Sequence, residues 1–215
     1  MGLPANREYI VIEGNIGSGK TTLSTKLAQH WGSRLMLEQF KDNPFLPKFY
    51  ENPDKHSFAL ELSFLAERYH QKRDELNKTD LFKPGIVCDY SFAKSLVFAR
   101  INLDPDEFDL YQNLFHIIHG RLAKPDLLVF LYCSPEKALQ QIKQRGRPYE
   151  QEISASYLEH INKGYLEFFR QQTDTPIIVL NTNHVDFVKS AFDFNSIVKV
   201  IEKEYSPGVH IIETY

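Results

Sequence analysis

Short unbroken apolar runs alternate along the chain with longer stretches whose apolar residues recur at helical spacing. Tyr9–Glu13 reads as a buried strand, followed by glycines and then a helix to about Trp31. Arg34–Leu37 is a weaker second strand. Ser57–Leu76 places Phe58, Leu62, Leu65, Tyr69 and Leu76 on a helical repeat. Ile86–Cys88, entered through Pro84-Gly85, is a short buried strand, with a helix expected from about Phe92 and another over Glu107–Leu122. Leu127–Tyr132 is the most apolar run and the expected central strand. Ser134-Pro135 then opens a helix, serine as N-cap and proline at the first helical position. Ile177–Leu180 is the last predicted strand and Phe194–Tyr205 a closing helix. The alternation predicts an α/β fold, a parallel sheet with helices on both faces.

Length and composition narrow the class. A chain of 215 residues fits one domain with at most a lid, and 42% hydrophobic with 25% charged residues is ordinary globular usage. A net charge of -3 gives no field that would draw in a nucleic acid polymer or a membrane surface, so a nucleotide site has to be a local cluster of cations. No apolar run reaches membrane-span length, and the MGLPANREY start lacks the apolar stretch of a signal peptide and the serine or threonine at Asn6 that myristoylation requires. Cys88 and Cys133 read as small core residues in a reducing cytosol, and the expected location is cytoplasmic.

Gly14-Asn15-Ile16-Gly17-Ser18-Gly19-Lys20-Thr21 fits the phosphate-loop pattern GxxxxGK[ST], with a strand directly before and a helix directly after. Glycines let the backbone wrap phosphate oxygens with N–H groups pointing inward, and the helix start adds partial positive charge. Lys20 is expected to reach the β- and γ-phosphates of ATP. The Thr21 hydroxyl is expected to ligate Mg²⁺, with Thr22 closing the nucleotide-binding stretch. A second string, Asn77-Lys78-Thr79-Asp80, spells a guanine-reading motif but trails a polar helix instead of a strand, so it reads as a solvated helix end.

Two acids fall at strand ends. Glu38 follows the second strand, where a carboxylate can take a proton from an attacking hydroxyl. Asp89 ends the next, where an acid holds Mg²⁺ directly or through water. Arg145-Gly146-Arg147-Pro148-Tyr149-Glu150 is a loop between two predicted helices. Its two arginines suit closure over phosphates in a loose transition state.

Together these motifs resemble the deoxynucleoside kinase family, most of all its bacterial deoxyguanosine kinases. The resemblance runs from Tyr9 to about Phe169. It includes Asp42-Asn43-Pro44-Phe45-Leu46 and Phe49-Tyr50 after Glu38, the helix from Ser57 through Glu61 to Arg68, Asp89-Tyr90-Ser91, and Arg145-Gly146-Arg147 with Glu150. The resemblance implies a P-loop kinase fold with a five-stranded parallel sheet and a short helical lid near 141–153, usually a homodimer. It implies Glu38 as general base for the 5′-hydroxyl, Tyr50 and Glu150 on the sugar 3′-hydroxyl, Glu61 and Arg68 in the base pocket, and Arg145 and Arg147 as lid arginines. The expected partner is a purine deoxynucleoside, deoxyguanosine favoured. An ionised Glu61 offers only acceptors, which suit the two adjacent donors of guanine.

The chain departs from the family pattern in places. Tyr90 stands where an arginine is usual, and Lys94 is a candidate to supply the missing charge. Glu61 stands where glutamine is common, and Gln141 where a further lid arginine is expected. A nucleoside monophosphate kinase of thymidylate type is the nearest alternative, but it needs arginines to clamp the acceptor phosphate, and the expectation is that none surrounds Glu38 and that the acid at Asp89 is followed by tyrosine. A regulatory GTPase or ATP-driven switch needs switch loops and a base-reading loop after a late strand, and the Asn77–Asp80 string is misplaced for that; a non-catalytic nucleotide sensor would make Glu38 dispensable. His116 and His119 share a helix face without a completing ligand and read as helix surface. Of the aromatics, Phe58, Phe64 and Tyr69 read first as core. The tail after Pro207 carries no functional signal.

Overall fold

The computed structural model describes residues 3–4, 7–39, 43–76, 78, 85–120 and 122–214. All five predicted strands form: β1 (Tyr9–Gly14), β2 (Arg34–Met36), β3 (Ile86–Cys88), β4 (Leu127–Tyr132) and β5 (Pro176–Asn181). A sixth, β6 (Gly208–Glu213), pairs parallel to β5 from Pro176 opposite Gly208 to Asn181 opposite Glu213. The parallel sheet therefore has six strands in the order β2-β3-β1-β4-β5-β6, not the five that the resemblance implies. The tail escaped a strand assignment because it lies at an edge. Val209 and Ile211 face solvent, so the unbroken apolar run of a strand buried on both sides is missing.

Among the described residues eight α-helices link the strands: α1 (Lys20–Trp31), α2 (Phe45–Glu51), α3 (Pro53–Leu76), α4 (Lys94–Asn102), α5 (Pro105–His119), α6 (Pro135–Arg145), α7 (Ala155–Arg170) and α8 (Ala191–Ile201). Ser134 caps α6 as predicted, its hydroxyl accepting from the Lys137 N–H at 3.3 Å. The closing helix starts earlier than Phe194 because Ser190 caps it, accepting from the Asp193 N–H at 3.1 Å. Alternation along each strand fills two cores. Ile10, Ile12, Val129, Leu131 and Ile178 pack with Leu23 and Leu27 of α1 and Ile197 of α8. Val11, Phe130 and Val179 pack with Tyr165 and Phe169 of α7. Cys88 and Cys133 are buried free thiols.

The guanine-reading string falls mostly outside the described residues, as does Asp42; Lys78 is exposed and pairs with Glu75 at 2.6 Å. His116 is exposed on α5, whereas His119 is half-buried and stacks on Phe115 and Phe92. Phe58 and Tyr69 pack against the core formed with α4 and α5. Among the described residues no helix is long and apolar enough to cross a membrane. The strand order reverses at β1, between β3 and β4, which puts a crevice at the carboxyl ends of those strands.

Candidate functional site

The loop from β1 to α1 occupies that crevice. Gly17 has φ +79°, and a Cβ there would lie 2.7 Å from the Ala138 carbonyl oxygen, so a glycine lets the loop dock on α6. Asn15 is fully buried and its side chain joins the loop to α7: Oδ1 accepts from the Ile16 N–H at 2.8 Å, while Nδ2 donates to the Leu158 carbonyl at 2.7 Å and to Asn162 Oδ1 at 2.9 Å. It therefore pins the loop to α7, and what it can offer a phosphate is backbone. Ser18 Oγ is buried with no hydrogen-bond partner among the described residues. Lys20 folds back, donating to the carbonyls of Gly14 at 2.9 Å and Asn15 at 2.7 Å, and burial lowers its pKa to about 8. Thr21 and Thr22 are exposed at the start of α1.

Parallel pairing of Met36 with Cys88 brings the residues after β2 and β3 to one edge. Asp89 is buried there. Its Oδ2 accepts from Thr21 Oγ1 at 2.6 Å and its Oδ1 from the Glu38 N–H at 2.7 Å. Glu38 in turn accepts from Arg68 Nε at 2.8 Å and from Lys94 Nζ at 2.6 Å. Burial pushes the Glu38 carboxyl up, but Lys94 and Arg68 together outweigh it and hold the group at about 2. The expectation of no arginine around Glu38 is thus corrected by the fold, since α3 delivers Arg68 and α4 adds Lys94. Tyr90, in the usual arginine position, is fully buried with its hydroxyl donating to Gln71 Oε1 at 2.8 Å. Lys94, not Tyr90, carries charge into the site.

Glu61 lies farther along α3 and is 2% exposed. It pairs with neither Arg68 nor Lys94. Its Oε1 accepts from Asn102 Nδ2 at 2.8 Å, and its Oε2 is buried without a partner among the described residues. Burial raises its pKa to about 7, with the charge of Arg68 offsetting part of the rise. Phe64 forms a wall beside Arg68, whose guanidinium lies 4.6 Å from the ring centroid.

Arg145 ends α6, Gly146 turns left-handed at φ +70°, and Pro148–Glu150 forms a 3₁₀ turn. Both arginines bind the buried Glu150, Arg147 Nη1 at 3.1 Å and Arg145 through Nη2. Tyr50 stacks on Tyr149 with ring centroids 5.8 Å apart, and burial raises its pKa so that it stays a neutral hydroxyl.

The predicted acceptor residues Glu38, Tyr50, Glu61, Arg68, Asp89 and Glu150 all line one cavity. A second, open groove runs beside the phosphate loop past Lys137, Gln141 and Phe187. Gly17, Lys20, Thr21, Arg145 and Arg147 border both. Asn102 and Tyr157 also reach the cavity, and no sequence motif marks them. Asn102 is the last residue of α4 and Tyr157 lies in the first turn of α7, so only the packing of those helices reveals them.

A groove joined through a phosphate loop and two arginines to a second cavity, whose four acids Glu38, Glu61, Asp89 and Glu150 are interleaved with cations, defines a P-loop phosphotransferase with a small acceptor. The sequence matches the family model for deoxynucleoside kinase over residues 10–205. It is 36% identical to a deoxyguanosine kinase of Bacillus subtilis over 91% of this chain and 96% of that protein. It is 32% identical to a deoxyadenosine kinase of Dictyostelium discoideum over 92% of this chain and 79% of that protein. A deoxyadenosine kinase from M. mycoides with bound dATP superposes with a TM-score of 0.77 at 25% identity, covering 91% of this chain and all of that one. The chain belongs to the deoxynucleoside kinase family, and the reaction it catalyses is phosphorylation of a deoxynucleoside.

Proposed function

We propose that this enzyme moves the γ-phosphoryl group of ATP to the 5′-hydroxyl of a purine deoxynucleoside, deoxyguanosine before deoxyadenosine. The observation that carries this reading is the set of five residues, Gly17, Lys20, Thr21, Arg145 and Arg147, bordering both the groove and the acceptor cavity. A phosphoryl group passing between the two crosses their donors. ATP fits the groove side: the buried Ser18 hydroxyl has no partner among the described residues, and Lys20 rests on carbonyls that a charged phosphate can outcompete. Mg²⁺ fits the Thr21 hydroxyl and Asp89, two hard oxygen donors 2.6 Å apart, with the remaining positions left for phosphates and water. When bound, the metal neutralises charge on the phosphates.

Glu38 accepts the proton of the 5′-hydroxyl as the bond to phosphorus forms, and Arg68 and Lys94 keep it in place and ionised. Tyr50 and Glu150 hold the sugar, and Glu61 meets the base. The segment 141–153 acts as a lid on a single 1–215 domain. Arg145 and Arg147 leave Glu150 for the transferring phosphoryl group. For the base, guanine sets N1–H and the 2-amino group against the Glu61 acceptors, and the relatives named as deoxyguanosine kinases at 36% and 33% identity agree with that order. Leu110 and Ile117 are large, exposed and share one face of α5, which suits burial against a second copy. Two buried thiols suit a reducing cytoplasm.

Arg68 and Lys94 also keep alive a monophosphate acceptor, since cations do reach the acceptor end. Glu38 already consumes both, so a phosphate there would meet a carboxylate as well. Incubation with ATP, Mg²⁺ and a panel of deoxynucleosides and their monophosphates decides: deoxyguanosine 5′-phosphate should accumulate, and turnover of monophosphates alone overturns the proposal.

A further inference from the structure

The far end of the acceptor cavity holds a carboxyl in an uneven setting. Glu61 Oε1 accepts from Asn102 Nδ2 at 2.8 Å, and the Asn102 carbonyl oxygen accepts from Tyr157 Oη at 3.0 Å. Tyr157 on α7 thus orients Asn102 on α4, which holds one oxygen of Glu61 on α3. The other oxygen, Oε2, is buried and has no partner among the described residues, although its residue lines the cavity.

The charged and titratable groups around Glu61 are otherwise engaged. Arg68, on the same helix, binds Glu38 and Ser95. Lys94 of α4 binds Glu38, which itself lies beyond β2. From α5, Tyr111 donates to the Glu61 main-chain carbonyl at 3.3 Å and leaves the carboxyl alone. From α7 only Tyr157 approaches, and it bonds Asn102. The described residues include no ion pair to Glu61, so its charge is stabilised at a distance only. Burial accordingly lifts the group into the neutral range, to about 7, against the partial offset from Arg68.

Asn102 also settles where the proton sits. Oε1 is accepting a hydrogen bond, so a protonated Glu61 carries its hydrogen on Oε2. Below neutrality Oε2 is a donor; above, it is an acceptor. Purines differ at the matching atom: N1 bears a hydrogen in guanine and hypoxanthine and a bare lone pair in adenine. Resting on the reading of Glu61 as the group that meets the base, we infer that Asn102 and Tyr157 make the proton on Glu61 Oε2 the discriminator between 6-oxo and 6-amino purines. Acid then favours deoxyadenosine and alkali favours deoxyguanosine. Glu61 touches the base, and Asn102 and Tyr157 are positioning residues.

The sign follows from the two protonation states. Deoxyguanosine needs the ionised carboxyl, so its kcat/KM falls as pH drops through neutrality. Deoxyadenosine needs the protonated one, so its kcat/KM falls as pH rises. Groups that titrate in the transfer step itself cancel in the ratio. The ratio of deoxyguanosine to deoxyadenosine kcat/KM should therefore rise by up to about tenfold per pH unit.

The test measures that ratio with ATP and Mg²⁺ from about one pH unit below neutrality to about one above, a span worth up to ~100-fold. The wild-type ratio should climb, the Glu61→Gln ratio should be level, and Asn102→Ala should shrink the slope because either oxygen can then hold the proton. A level wild-type ratio, with Glu61→Gln still changing the ratio at fixed pH, overturns the proton switch and leaves the base-reading role standing. A Glu61→Gln ratio equal to wild type at every pH overturns the base-reading role and the switch with it. A slope that survives Glu61→Gln assigns the titration to another group, and one unchanged in Asn102→Ala removes Asn102 from it.

Discussion

Glu38 poses a question of strength. A carboxylate held at about 2 by Lys94 and Arg68 is a feeble base toward a resting alcohol. In a loose transition state the nucleophile bonds to phosphorus late, and its proton becomes acidic only then, so a weak but rigidly placed acceptor suffices. Glu38→Gln should lower kcat by about 10²–10⁴ while binding of ATP persists, as read by steady-state kinetics alongside equilibrium titration; a change within threefold would remove the assignment. The same environment predicts a pH effect. In the proposed mechanism the active form is ionised, so activity should be lost as pH falls through the Glu38 pKa. Lys94→Met removes one of two cations and should move that acid limb upward by about one unit or more; Lys94 also helps to lower the Lys20 pKa, so an alkaline limb set by Lys20 should move upward as well. This part of the site was half legible. The acids at the ends of β2 and β3 could be found from strand prediction, because a strand end fixes its successor in space. The cations on Glu38 could not, because they arrive from residues 30 and 56 positions away through the packing of α3 and α4.

At the scale of elements, legibility followed burial. β1, β4 and β5 are covered on both faces and announce themselves as apolar runs. β6 has one solvent-facing side, where Val209 and Ile211 alternate with half-buried neighbours, and a strand at an edge leaves no such run. Helix α6 was visible from its Ser134-Pro135 start, and it matters because it carries Arg145 at one end and receives the phosphate loop at its Ala138 carbonyl. Ser134→Ala should destabilise the fold by about 1 kcal/mol through the lost cap. Denaturant unfolding would report this as a lower midpoint with an unchanged slope. The preference among bases should not move, since Ser134 is not among the residues that line the cavity with Glu61. A shifted base preference would mean that α6 transmits strain to the acceptor end.

For the whole molecule, the telling arrangement is the single carboxylate of Glu150 bound by both Arg145 and Arg147. One acid answers to two clients, the arginines on the groove side and, in the proposed reaction, the sugar on the cavity side. Sugar binding weakens its hold on the arginines and frees positive charge toward the donor nucleotide. The two substrates are then thermodynamically linked although they never touch before reaction. Each tightens the other by the same factor, of order 5–150-fold for a linkage of about 1–3 kcal/mol. Titrating a non-hydrolysable ATP analogue with and without deoxyguanosine would read the factor, and Glu150→Gln should bring it close to unity. An enzyme wired this way senses the company its substrates keep: with acceptor scarce, its arginines stay folded on their own acid, and ATP in the groove is spared idle hydrolysis.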